Sequence, residues 1–241
     1  MGRTLIYIPI IHTSPDLGSL AKNVEKKAKR LIGSYWEEHK RTVERYWQEI
    51  RWFVERKTGT NVLVFQDGMP EGGKTAQTII DKLAKSGSPN YQLLKELVKK
   101  GACMQKTEDP ELLKQEYQLT KNLAARKNFL STIVAFLKYK LRKNGLLKAR
   151  DEYIAAQINQ NLKEGETGMC FLGAYHDVVS KLSSDIKIVL VKGPDTVKKY
   201  YQRLTYGETP GAINKLARYL TKPIKTGVVT YSNKLLETNH E

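Results

Sequence analysis

Leu5 to Ile11, LIYIPII, is apolar at every position and largely β-branched, the pattern of a strand buried on both faces. Asn61 to Gln66 and Gly168 to Ala174 read the same way, Asp185 to Val191 gives a fourth such run, and Gly227 to Tyr231 a fifth. The segments between them change period. At His12-Thr13-Ser14-Pro15-Asp16 the chain turns: Ser14 suits an N-cap, Pro15 the first helical position and Asp16 the helix dipole, so a helix is expected as far as Leu31. After Gly33, the residues Trp36, Val43, Trp47, Ile50 and Val54 recur at helical spacing and predict a second amphipathic helix to about Lys57. Its aromatic residues share a face with Val and Ile, which points to packing rather than to base stacking.

Thr58-Gly59-Thr60 interrupts this pattern. From Lys74 to Leu162 the period is helical, with breaks at Gly87 to Asn90, at Gly101, at Thr107 to Pro110 and at Asn144-Gly145. Thr107, followed by Glu108, Asp109 and Pro110, has the form of a capped helix start. These elements predict one α/β domain over residues 1–241. Its sheet is mainly parallel, with four to five strands, and residues 74–162 form a helical insertion between the second and third strands.

Length and a 40% hydrophobic content allow a sizeable core. Cys103 and Cys170 are far apart and read as reduced thiols, and no run is long enough to span a bilayer, so a cytoplasmic protein without a membrane anchor is expected. The net charge is +16, from 41 basic and 25 acidic residues. Residues 74–150 hold 17 of the basic and 6 of the acidic side chains, so most of the excess sits in the insertion. No Asp or Glu occurs between Tyr117 and Arg150. A solvated basic helix face of this kind predicts weak, salt-dependent polyanion binding; a non-enzymatic nucleic-acid-binding protein is one alternative reading.

Two groups of residues carry candidate chemistry. GMPEGGKT, Gly68 to Thr75, fits the G-x-x-x-x-G-K-[ST] pattern after a strand and before a helix, so Gly68, Gly73, Lys74 and Thr75 form an alternative nucleotide loop of a P-loop NTPase. Against it, Asp67 sets a negative charge beside the would-be phosphates, and no later strand ends in an acid suited to magnesium. The other group lies at the ends of the apolar runs: His12, Asp67 and His176. Parallel strands aim their last residues into one crevice, so these three side chains are expected to converge there.

Arg150-Asp151, a following helix, a Gly-containing turn and FLGAYH together resemble the arrangement found in the TraB/Tiki, ChaN and erythromycin-esterase-like superfamily. The resemblance covers most of the chain through short motifs. It implies a site of His12, Asp67, Arg150 and His176, and a hydrolase-like enzyme acting on an unknown small-molecule or peptide substrate. Two positions depart from the family pattern: the first motif reads PIIH, with Pro9 where the family has Gly, and the acid is Asp67 rather than Glu. In this reading His12, Asp67 and His176 hold one divalent metal, Zn, Mn or Co, whose water is acidified, or act on water without it; Arg150 stabilises the developing oxyanion. Asp177 and Glu108 are secondary candidates.

Overall fold

The computed structural model of the chain describes residues 2–16, 25–26, 29–30, 32–57, 62–124, 129–206, 210–224 and 230–231. The strands are β1 (Arg3–Ile10), β2 (Leu63–Gln66), β3 (Cys103–Met104), β4 (Thr167–Gly173), β5 (Ile186–Leu190) and β6 (Thr230–Tyr231). They form one sheet in the order β3-β2-β4-β1-β5-β6, parallel throughout except for the antiparallel β6 at one edge. The expected α/β architecture with a mainly parallel sheet is therefore present. Four of the expected strands appear within a few residues of their predicted bounds.

Helices α1 (Trp36–Lys57), α2 (Gly73–Lys85), α3 (Pro89–Lys99), α6 (Pro194–Tyr206) and α7 (Pro210–Leu220) cover one face. The long helix α5 (Phe129–Asn161) covers the other, and α4 (Pro110–Ala124) packs beside it. Strand alternation allots the core between these layers. Ile6, Ile8, Ile10, Met169 and Phe171 face the larger layer, and Leu5, Tyr7, Cys170 and Leu172 face α5. Burial on both faces is why the sequence runs are continuously apolar. The stripe Trp36, Val43, Trp47, Ile50 and Val54 is buried as expected, and Trp47 Nε1 donates to Ile11 O at 3.0 Å.

Several local expectations are corrected. Residues 14–16 form a 3-10 turn, in which Asp16 Oδ2 accepts the Thr13 N–H at 2.5 Å; of the helix expected to Leu31, residues 25–26 and 29–30 are helical and the others lie outside the described residues. The start at Pro110 is correct, but its cap is Asp109, whose Oδ1 accepts from the Glu111 N–H at 2.7 Å, while Thr107 Oγ1 accepts from the Gln66 N–H at 3.1 Å. Asn144-Gly145 does not end a helix. Gly145 lies inside α5, where one glycine costs only about 1 kcal/mol relative to alanine and the packing beyond it carries the helix through. Within the insertion the chain returns to the sheet as β3, so the strand predicted as the third is in fact the fourth.

Among the described residues no helix is long and apolar enough to cross a membrane. The side chains of residues 122–143, where most of the basic stretch lies, fall outside the described ones.

Candidate functional site

Four neighbouring parallel strands each deliver one ionisable residue to the carboxyl edge of the sheet. Glu108 follows β3, Asp67 follows β2, His176 follows β4 and His12 follows β1. Arg150 arrives from the α5 layer: it lies 11 residues before the end of that helix, about 17 Å along the axis, which lifts it to the same edge. The four residues expected from the sequence are thus brought together.

Asp67 is the hub. Its N–H donates to Phe171 O at 2.8 Å, and its Oδ2 accepts the Gly173 N–H at 3.0 Å, so backbone and side chain both fasten β2 to the end of β4. Its Oδ1 receives Arg150 Nη2 at 2.8 Å. Around Oδ2 stand two imidazoles, with His176 Nε2 at 3.4 Å and His12 Nε2 at 3.8 Å. This crowding depends on Gly173. A Cβ there would meet Asp67 Oδ2 at 3.0 Å, His12 Nε2 at 3.5 Å and His176 Cδ2 at 3.6 Å.

The His176 side chain is only 4% exposed and is oriented from behind. Asp151 Oδ1 lies 2.5 Å from its Nδ1, and Asp151 Oδ2 accepts the Asp177 N–H at 3.0 Å. Nε2 is thereby directed at Asp67. A carboxylate fixing one imidazole nitrogen while the other faces a reacting centre is the usual support of a ligating or proton-transferring histidine. His12 differs in exposure: 44% of its side chain reaches solvent.

Arg150 is enclosed by acids. Nε donates to Glu108 Oε2 at 3.0 Å, Nη2 to Glu108 Oε1 at 2.5 Å and to Asp67 Oδ1, and Nη1 to Glu116 Oε2. Because every guanidinium nitrogen already serves a carboxylate, the expected oxyanion-stabilising role does not fit; Arg150 instead clamps Asp67 and Glu108 in place. Asp177 is not part of the cluster, since its carboxylate is 70% exposed and pairs with Lys181 Nζ at 3.4 Å.

The charges follow from this enclosure. Burial works against the Asp67 charge, yet His176, His12 and Arg150 hold its carboxyl well below the usual carboxylate range. Burial likewise opposes a charge on His176, and the Asp67 and Asp151 carboxylates overcome it, pushing the imidazole up to about 10. His12 is also raised: the partial desolvation of its ring is outweighed by the Asp67 carboxylate. Glu108 goes the other way: burial, helped by the Asp67 charge, pushes it up to about 6 although Arg150 pulls it down.

Asp67, Glu108 and His176 each offer a ligand atom within 4.8 Å of the others, close enough to hold a metal ion. Oxygen, oxygen and imidazole nitrogen form a donor set suited to a divalent ion of intermediate hardness. Asp67 and His176 belong both to this triad and to the set expected from the sequence. Glu108, only a secondary candidate there, is the acid sequence reasoning underrated, because β3 is two residues long and left no strand signal. Asp151 was visible only as the neighbour of Arg150, and Glu116 had no signal, its role being set by the packing of α4 on α5.

The Gly68 to Thr75 segment links β2 to α2. Gly68 has φ 75° and turns its N–H to Glu108 Oε1 at 3.4 Å; Met69 is buried in the core and its carbonyl accepts from the Thr107 and Glu108 N–H groups. Lys74 and Thr75 are exposed. The start of this loop is thus tied to the Thr107–Glu108 segment that follows β3.

No family model, no curated protein and no solved structure matches this chain.

Proposed function

We propose that this protein is a hydrolase-like enzyme that activates water at the carboxyl edge of its sheet, using Asp67 and His176 together with His12 and Glu108. One observation carries the reading: two imidazole Nε2 atoms, at 3.4 and 3.8 Å, address one oxygen of Asp67, while Asp151 anchors the far side of His176 at 2.5 Å. The superfamily resemblance of the Arg150-to-His176 segment supports the same residues, and the unpaired thiols of Cys103 and Cys170 accord with a cytoplasmic protein.

Asp67, Glu108 and His176 would hold one divalent ion of the Zn, Mn or Co type, which leaves His12 free of it. When bound, that ion supplies a water acidified towards neutrality. The side chains do the rest. Half-exposed His12 takes the proton from the attacking water and carries it towards solvent. Asp151 keeps the His176 ring from turning, and Arg150 keeps the two carboxylates at fixed separation. The substrate is a small molecule or peptide with a hydrolysable bond.

The test is metal analysis combined with hydrolysis of an ester, peptide and phosphoester panel, before and after chelation and after reloading with Zn, Mn or Co. About one metal per chain is expected, absent from Asp67→Asn and His176→Ala, with turnover of one substrate class following the metal. Turnover that survives chelation but is lost in His12→Ala would overturn the metal and leave the acid-base reading. No uptake and no turnover would sink both.

A further inference from the structure

A second concave place lies between α1 and α7, away from His12, Asp67 and His176. It is a cavity of about 270 Å³ whose lining includes Arg41 and Arg45, one helical turn apart on α1, and Arg218 on α7. Arg3, Arg51 and Arg150 each bind a carboxylate at close range. The guanidiniums of Arg41, Arg45 and Arg218 make no hydrogen bond and no close ion pair among the described residues, and Glu37, which pairs with Lys40, acts on Arg41 only from farther off. Glu38, the one acid among the lining residues, balances part of this charge, and what balances the rest is an anion with several acceptor oxygens.

The rest of the lining narrows the ligand. Thr42 and Thr221 lend their hydroxyl protons to backbone carbonyls, at 2.9 Å to Glu38 O and to Ala217 O respectively, so the arginines are the charged donors of the groove. Glu38 and Asn214 also line it, and Asn214 Oδ1 is buried with no hydrogen-bond partner. These two acceptors call for donors on the ligand, which a bare anion lacks. The volume admits a phosphoryl group and a few further atoms.

We infer that the groove between α1 and α7 binds a small phosphorylated, hydroxyl-bearing molecule, its phosphoryl group on Arg41, Arg45 and Arg218 and its hydroxyls towards Glu38 and Asn214. The dianion balances what a carboxylate, with one charge and two oxygens, would leave unbalanced.

Glycerol 3-phosphate, glycerol and inorganic phosphate serve as probes in calorimetric titration of the full chain at fixed ionic strength, with and without EDTA. Saturable, EDTA-independent binding of glycerol 3-phosphate is expected, tighter than that of phosphate and absent for glycerol. It should weaken at least tenfold in R41Q/R218Q, since two charge-assisted contacts to the phosphoryl group are lost. It should stay within twofold in K82Q/K85Q, which removes the same charge from exposed positions on α2. Non-saturable binding, equal losses in both double variants, or loss on chelation would overturn the site. Phosphate binding as tightly as glycerol 3-phosphate would overturn the hydroxyl-bearing class.

Discussion

Arg150 at the carboxyl edge sits among Glu108, Glu116 and Asp67, whereas Arg41, Arg45 and Arg218 share the groove between α1 and α7 with the single acid Glu38 and form no close ion pair among the described residues. The same side chain thus does two different things, and the ratio of acids to permanent cations decides which. At the edge, Glu108 and Asp151 are buried and Asp67 nearly so around one arginine, so that place favours further positive charge, such as protonated imidazole. In the groove the balance is reversed and an anion is favoured. Enclosure also differs: Arg150 is 6% exposed, and its removal cannot be made good by water.

The contrast can be broken most forcefully at Arg150. Arg150→Met should destabilise the fold by about 3–5 kcal/mol in urea denaturation, because it leaves buried carboxylates without their cation. Arg41→Gln and Arg218→Gln should each stay within about 0.5 kcal/mol of wild type. Equal effects at both places would erase the distinction.

His176 comes next. Its pKa is raised in the fold, so the stability it contributes is fully present below about 6.5 and is lost as pH rises through about 10. The stability difference between the wild type and His176→Gln should therefore shrink between pH 6 and pH 10 in metal-free protein. A difference that grows with pH would show the imidazole to be neutral in the fold. Metal uptake should release protons and tighten from pH 6 to pH 8, since His176 must lose its proton to ligate.

A smaller effect is expected at Gly173. Gly173→Ala places a methyl group 3.0 Å from Asp67 Oδ2, so it should cost about 1–2 kcal/mol and weaken metal binding more than a distant substitution of equal cost. The smallest effect belongs to Lys74. Lys74→Ala should change neither stability nor hydrolysis measurably, and a saturable ATP affinity lost with it would restore the nucleotide reading.

The legibility of this chain follows the range of the interactions involved. Strands β1, β2, β4 and β5 were readable because burial on two faces writes itself as a continuous apolar run, and His12, Asp67 and His176 were readable because they sit at the ends of such runs. Cys103–Met104 was not readable, since two residues carry no period and the strand exists only through pairing with Leu63 and Val64. With β3 unseen, Glu108 looked like part of a helix cap. The Asp151–His176 and Arg150–Glu116 contacts join residues 25 and 34 positions apart, and only the docking of α5 and α4 creates them. The break expected at Gly145 failed because local propensity is weaker than the packing of a 33-residue helix.

The way Asp67 is tied to β4 bears on why this acid is short. Its peptide N–H and its carboxylate grip two points of the same neighbouring strand, Phe171 O and Gly173 N, like a buckle of fixed span. A glutamate would carry the carboxylate about 1.5 Å further while its backbone stayed pinned, overshooting the Gly173 N–H and driving into the imidazoles beyond it. That the acid at this position is an aspartate is therefore a matter of gauge. The strand spacing sets the reach of the acid, and the acid in turn sets how closely the two histidines approach.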